Sequence, residues 1–201
     1  MPPLRKVIFV SLAFVVLGLF ATPSIKADTV VIGGTNSANC YPFGNCGYTG
    51  PHQQFYSSSQ FSGPVAITQI SFASGGPNTG SGGAATYNFS LGLSNTSATP
   101  SSFSATYAAN RGANFTTVFN GPFTAMLQAN NTGQTFDFNI ILTTPFLYDP
   151  SQGNLLVEVN MVSSSGPQNF FRAGDSPLTG RNFNNPPNNT TTGLGTSGFT
   201  Y

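Results

Sequence analysis

Charged side chains are scarce in this sequence. Only 5% of its 201 residues are charged, against about 25% in ordinary soluble domains. After Lys26 the chain has no lysine, and its only basic residues are Arg111, Arg172 and Arg181. A duplex-binding surface commonly neutralises about six or more phosphates, so the composition predicts no nucleic-acid partner. The polar surface must consist mainly of Asn, Ser, Thr and Gln, and such a surface repels its neighbours weakly.

Groups that could act as a general acid, base or nucleophile are also few. His52 is the only histidine, and the chain has no Gly-x-Ser-x-Gly motif for a serine nucleophile. We interpret His52, within GPHQQF, as a surface residue that enters a strand. Acidic and thiol side chains are too scattered for a metal-ligand signature, and GGPNTGSGG (75–83) lacks the lysine of a phosphate loop. The sequence therefore predicts no metal and no cofactor.

The acidic residues closest to each other in the sequence are Asp149 and Glu158. Asp149 precedes Pro150 in DPSQGN, which is typical of a turn. In NLLVEVNMV (154–162), period-two alternation places Val157 on the core face and Glu158 on the opposite face, as a surface carboxylate. A strand rises about 3.3 Å per residue, which takes this pair beyond the range of about 5 to 9.5 Å that a glycosidase needs. We expect no catalytic residue and no enzyme.

A close pair of cysteines, Cys40 and Cys46, brackets YPFGN. In an exported chain such a pair favours a disulfide over a zinc or redox site, since zinc needs more soft ligands and a redox motif needs a two-residue spacing. The loop contains Tyr41 and Phe43, and Tyr48 follows it. Sugars stack on exposed aromatic rings, so these three residues are candidate ligand contacts. The alternative is that the rings pack in the core or anchor the loop.

The N-terminus has the composition of a signal peptide. Two positive charges precede VIFVSLAFVVLGLF (7–20), an apolar run shorter than the about 20 residues that span a bilayer. Ala27 is a small residue suited to cleavage. We predict a signal peptide over 1–27 and one domain over 28–201, with an uncleaved anchor as the alternative. The expected location is secreted, at the cell surface or in the extracellular matrix, or periplasmic, with no membrane span after cleavage.

The dominant hydrophobic period after the signal peptide is two, as half-buried strands require. It is clearest in TYNFSLGLS (86–94) and TFDFNIILT (135–143). Weaker strand candidates lie between clusters of Gly, Pro, Asn and Ser, at 29–33, 53–57, 65–73, 115–119, 168–172 and 194–201. FSATYAAN (103–110) predicts a single helical turn at most. About nine short strands predict an all-β fold, a single antiparallel β-sandwich of the jelly-roll type.

Several segments resemble the body of bacterial exported proteins of the PEP-CTERM, exosortase-sorted kind. They are FYSSSQFSGPVAITQISF (55–72), ANRGANFTTVFNG (109–121), PFLYDPSQGNLLVEV (145–159) and GLGTSGFTY (193–201). The resemblance implies a strand-rich domain of unassigned activity behind a signal peptide, and it carries over no active-site residue. The Pro-Glu-Pro triplet and arginine cluster of that family's sorting tail do not occur in the sequence. We therefore expect either a freely secreted form or a sequence that stops before the tail.

Three functions are compatible with these observations. The first is a non-catalytic secreted or cell-surface protein, a structural or adhesive component of the extracellular matrix. Its expected partner is extracellular polysaccharide or further copies of the same chain. The second is a carbohydrate-binding module that uses the loop rings. The third is a secreted glycan hydrolase built on Asp149, Glu158 or His52, and it would require a convergence of side chains that the sequence does not indicate.

Overall fold

The computed structural model describes most of the chain that follows the predicted signal peptide, whose residues 1–27 lie outside the described ones. The described residues are 28–32, 37–43, 47–75, 82–129, 135–167, 169–173, 175–176, 178–183, 188–190, 193–194 and 197–201. The strands are β1 Thr29–Ile32, β2 Ser37–Asn39, β3 Gly50–Tyr56, β4 Val65–Phe72, β5 Gly83–Thr96, β6 Thr116–Leu127, β7 Phe138–Tyr148, β8 Asn154–Ser165, β9 Phe171–Ala173, β10 Asp175–Ser176, β11 Thr179–Phe183, β12 Asn188–Thr190, β13 Gly193–Leu194 and β14 Ser197–Thr200.

Two antiparallel sheets form the body of the fold. The six-stranded sheet has the order β12-β11-β3-β8-β5-β6, and the four-stranded sheet has the order β1-β14-β4-β7. The main pairs are nested along the chain, because β1 pairs with β14, β3 with β8, β4 with β7 and β5 with β6. Successive pairs lie in alternate sheets, which is the winding of a jelly roll. The predicted all-β antiparallel sandwich is confirmed.

The inner faces of the two sheets share one apolar core. The period-two pattern of β5 is confirmed, since Tyr87 and Phe89 are fully buried between the sheets. From the opposite sheet, the ring of Phe138 packs against Tyr87 with 5.1 Å between centroids. Burying one such side chain stabilises the fold by about 1.5 to 3 kcal/mol. The alternating pattern therefore determines which face of each strand turns inward.

Strand boundaries differ from the prediction where turn-forming residues continue a strand. β6 extends beyond 115–119 and passes through Gly121 and Pro122. Proline is tolerated there because β6 is an edge strand of its sheet. β11 was not predicted, because TGRNF (179–183) lacks apolar alternation, and Phe183 is the one apolar residue on the face that it shares with Thr179 and Arg181.

Helical structure in the described part of the chain consists of short segments. The predicted single turn within FSATYAAN is confirmed by α1, Tyr107–Asn110. Two 3₁₀ turns, Ser58–Gln60 and Pro150–Gln152, precede β4 and β8. Within the same described residues no helix is long and apolar enough to cross a membrane.

The connection from β5 to β6, residues 97–115, covers the outer face of the six-stranded sheet, and we call it the covering loop. Its Ala98 and Phe103 form a second, smaller core with Phe55 of β3 and Leu156 of β8. The rings of Phe55 and Phe103 meet edge to face with 5.3 Å between centroids. Because of this cover, β3 and β8 are buried on both faces along much of their length.

Replacing Gly180 with alanine is expected to destabilise the protein by about 1 to 2 kcal/mol through overpacking. Gly180 lies opposite Phe55, and an added Cβ would be 2.2 Å from Phe55 Cε1. The Phe55 ring cannot shift without repacking the second core. Urea unfolding measures the effect, with Gly63→Ala as the control because nothing lies within 4 Å of a Cβ at that position. Equal unfolding midpoints for the two variants would contradict this account.

Candidate functional site

A row of residues crosses four neighbouring strands beneath the covering loop. Asn182 lies opposite Gln53, Gln53 opposite Glu158, and Glu158 opposite Gly92 in the strand registers. Directly opposed residues share a face of the sheet, so all four face the covering loop. The ring of Phe115 lies over Gly92, only 2.2 Å from the place of a Cβ. Glycine at this position therefore allows the loop to approach the sheet.

The Glu158 carboxylate forms an ion pair with Arg111 of the covering loop. Arg111 Nη2 lies 2.6 Å from Glu158 Oε1, and Arg111 Nε lies 2.8 Å from Glu158 Oε2, which is the two-pronged geometry of a strong pair. The hydrogen bonds with Glu158 raise the pKa of Arg111. The Glu158 side chain is 7% exposed. Glu158 faces away from the main core as predicted, but the prediction that it is a surface residue is wrong because the covering loop buries it.

Side-chain amides add further bonds between the sheet and the covering loop. Gln53 Nε2 donates to Glu158 Oε2 at 2.6 Å and to the Tyr107 carbonyl at 2.8 Å. Asn110 Nδ2 donates to Gln53 Oε1 at 2.8 Å. Asn182 Nδ2 donates to two carbonyl oxygens of the loop at 3.0 and 3.2 Å. Together with the ion pair, these bonds hold α1 and the loop in one position on the sheet.

Three tyrosines lie next to this network, and we call Tyr41, Tyr48 and Tyr107 the tyrosine rim. The rings of Tyr41 and Tyr48 meet edge to face with 5.0 Å between centroids, and the side chains of Tyr48 and Tyr107 are hydrogen-bonded. Tyr48 Oη donates to the Pro51 carbonyl at 2.5 Å. All three tyrosines are half-buried. Burial, the bond to Tyr48 and the charge of Glu158 raise the pKa of Tyr107, so its hydroxyl stays protonated.

Of the three candidate ligand-contact rings near Cys40, two belong to the site. Tyr41 and Tyr48 belong to the tyrosine rim, but Phe43 is 1% exposed and lies in the main core. Its ring contacts five other core rings, so Phe43 is not a ligand contact and the alternative, that this ring packs in the core, holds. Cys40 is disulfide-bonded, whereas Cys46 lies outside the described residues, and the Cys40–Cys46 pairing stays a prediction.

His52 lies on the inner face of β3 and is 4% exposed. Its ring is flanked by those of Tyr41 and Phe183, each 6.4 Å away between centroids. Burial, and then the charge of Arg181, lower the pKa of His52 to about 3. The interpretation of His52 as a surface residue is wrong because β3 is covered on both faces. The imidazole is consequently neutral at physiological pH.

Two further carboxylates have structural roles. Asp149 Oδ1 accepts from the Ser151 backbone N at 2.9 Å and caps the 3₁₀ turn, which confirms the predicted turn. The bonds from Ser151 lower the pKa of Asp149. Asp137 accepts from the backbone N of Ser74 at 2.8 Å and of Gln128 at 3.0 Å, so it joins three segments of the chain. No cluster of three or more metal-ligating His, Cys, Asp or Glu side chains occurs within the described ranges.

Sequence reasoning missed five residues that build the site. They are Gln53, Tyr107, Asn110, Arg111 and Asn182. One signal was available in the sequence. A carboxylate that is buried within a strand needs a basic partner, and the basic residues after Lys26 are few. Only the path of the covering loop shows that Arg111 is the arginine that reaches Glu158, and the sequence does not reveal this path.

No protein-family model, curated protein or solved structure matches the chain. The resemblance to exported PEP-CTERM proteins therefore stays a prediction.

Proposed function

We propose that this is a non-catalytic exported protein, an adhesive component of the cell surface or extracellular matrix that holds polysaccharide at the tyrosine rim. The supporting observation is that three adjacent, half-buried tyrosines lie beside the Arg111–Glu158 pair, whose carboxylate is buried. Tyrosine offers a large contact area at low cost in conformational entropy, and its hydroxyl forms hydrogen bonds. A rigid surface of rings and hydroxyls suits a neutral glycan.

The state of the titratable groups supports a non-catalytic role. Glycosidases need one protonated and one ionised carboxyl group that converge on the same bond. Here the Glu158 carboxylate is bonded to Arg111 and Gln53, and Asp149 caps a turn. His52 is enclosed in the sandwich. Each of these groups would have to leave a structural role before it could transfer a proton.

The low charge of the chain also predicts how the polysaccharide is held. With only 5% charged residues, attraction to the polysaccharide rests on ring contacts and hydrogen bonds. Such contacts are screened little by salt, unlike exposed ion pairs. Binding is therefore expected to change little between low and high salt.

Co-sedimentation of the purified chain with extracellular polysaccharide from the producing organism tests the proposal. We expect the protein to pellet with polysaccharide at both low and high salt and to stay soluble without it. A protein that remains soluble in every tube would contradict polysaccharide binding. Loss of binding at high salt would contradict the role given to the rings.

Replacing Tyr48 with alanine is expected to weaken polysaccharide binding about tenfold, or about 1.4 kcal/mol, because Tyr48 links the other two tyrosines of the rim. Tyr48→Phe keeps the ring and separates stacking from hydrogen bonding. Met126→Ala is the matched control, since Met126 is 69% exposed on β6. Unfolding midpoints measured alongside show whether each variant keeps the fold. Unchanged affinity of folded Tyr48→Ala would remove this ring from the proposal.

Self-assembly is the second candidate function, and strand β7 is the observation that favours it. β7 lies at the edge of the four-stranded sheet and exposes Ile141 and Leu147 at 70% and 77%. It contains no charged residue, although charges commonly protect edge strands from pairing with another chain. If β7 drives assembly, Leu147→Asp should keep the protein monomeric in sedimentation velocity without altering polysaccharide binding. Assembly that persists in this variant would exclude the β7 surface around Leu147.

A further inference from the structure

A small cavity lies inside the sandwich, behind Tyr41 of the tyrosine rim. Its volume is about 20 Å³, enough for one water-sized group. Tyr41, His52, Gln54 and Phe171 are among the residues that line it, and β8 contributes aliphatic walls. Tyr41 also contacts Tyr48, so the cavity adjoins the rim.

The polar side chains that line this cavity include His52, Gln54 and the guanidinium of Arg172. His52 Nε2 and Gln54 Nε2 have no hydrogen-bond partner among the described residues. The two residues are 4% and 5% exposed, so bulk water does not solvate them. Buried polar atoms in native proteins are nearly always hydrogen-bonded. The pair therefore indicates a bound group that supplies the missing bonds.

The protonation of His52 determines what that group must be. Burial and the charge of Arg181 lower the pKa of His52 to about 3, so the ring carries a single proton. The ring makes a hydrogen bond to its own backbone, and Nδ1 must be the donor because Nε2 has no partner. Nε2 thus presents a lone pair, whereas Gln54 Nε2 presents N–H donors.

We propose that this cavity binds one hydroxyl group, which donates to His52 Nε2 and accepts from Gln54 Nε2. A carbonyl oxygen could not donate to the imidazole, and neither could an anion, although the guanidinium of Arg172 in the lining would attract one. A cation would face the N–H groups of Gln54. A hydroxyl is the small neutral group that satisfies both atoms with a single oxygen.

Two sources could provide this hydroxyl. One is a buried water, and this possibility is independent of the proposed function. The other is a sugar hydroxyl that reaches past Tyr41 from a glycan on the rim, and this one rests on polysaccharide binding. Both sources present the same donor and acceptor to His52 and Gln54.

Nitrogen-15 NMR of histidine-labelled protein tests the proposal on the whole chain. His52 is the only histidine, so its ring signals need no assignment. We expect one protonated and one unprotonated ring nitrogen, with the unprotonated signal moved upfield because it accepts a hydrogen bond. In Gln54→Met the signal should move part of the way back downfield, and in Met126→Ala, a change at an exposed residue of β6, it should not move.

Each outcome has a defined meaning. A hydrogen-bonded Nε2 without polysaccharide, with a signal that moves in Gln54→Met, supports the site with water as the ligand. A hydrogen bond that persists unchanged in Gln54→Met would come from the Arg172 guanidinium in the lining and would overturn the proposal. A hydrogen-bonded Nε2 only after addition of fragments of the extracellular polysaccharide supports the site with a sugar hydroxyl. A lone pair without a hydrogen bond under both conditions, or a proton on Nε2, would overturn the proposal. A hydrogen-bonded Nε2 in protein that fails to pellet with polysaccharide would retain this site and reject the proposed function.

Discussion

Lowering the pH from 6.5 to 4.5 is expected to reduce the free energy of unfolding by about 2 to 3 kcal/mol through His52 alone. Folding lowers the pKa of His52 from 6.5 to about 3. Between these values the unfolded chain binds a proton that the folded chain does not bind. The stabilising effect is therefore complete above pH 6.5 and decreases as the pH falls, by up to about 1.4 kcal/mol per pH unit.

His52→Phe is the variant that isolates this effect, because it keeps a ring between Tyr41 and Phe183 and cannot titrate. Urea unfolding at several pH values between 6.5 and 4.5 measures the slope, in a window above the usual carboxyl range. Arg181 and Arg172 are charged groups near His52, and arginine is not deprotonated in proteins. We expect a nearly pH-independent free energy of unfolding for the variant. An equal slope in the variant and the parent protein would contradict the role of His52.

Replacing Arg111 with methionine is expected to destabilise the protein by about 3 kcal/mol, at the low end for a broken buried pair. The Glu158 carboxylate is 7% exposed and would keep only its bond from Gln53. The figure is at the low end because Arg111 is 37% exposed and water can reach that side of the pair. Methionine keeps an unbranched apolar stem, and the loss includes both the ion pair and the cation–π contact of the guanidinium, whose Cζ lies 4.6 Å from the centroid of the Phe115 ring.

A double-mutant cycle separates the pair from other contacts. Glu158→Leu leaves Arg111 able to turn towards water, so its cost should be smaller than that of Arg111→Met. With both changes present, no buried charge is left, and the destabilisation should be less than the two single effects added. Guanidinium unfolding of the four proteins gives the coupling energy. If the destabilisation of the double variant equals the sum of the two single effects, the two side chains are not coupled and the ion pair does not hold the covering loop.

These variants also connect stability with the proposed binding site. Tyr107 lies in α1, directly beside the ion pair, and meets Tyr48 in the rim. In Arg111→Met the covering loop should exchange its amide protons faster, since opening it breaks fewer contacts. Polysaccharide binding should weaken along with the loss of protection.

Local patterns in the sequence were sufficient for much of the fold. Alternation in β5 and β8 identified the inward residues, because side-chain direction in a strand depends only on position along it. The turn at Asp149 and the single turn of α1 were also predicted, since both rest on neighbouring residues. β11 was missed because TGRNF forms a strand only through its pairing with β3.

The sequence by itself determined that this is a charge-poor, all-β chain with alternating strands. Tertiary structure alone decided the surroundings of Glu158 and His52. Whether the second face of a strand meets water depends on what folds over it, and Arg111 reaches Glu158 from 47 residues away. The covering loop thereby buries Glu158, whereas His52 is buried on the inner face, between the rings of Tyr41 and Phe183. Burial and partner charge are properties of the assembled sheets, so no local pattern could predict them.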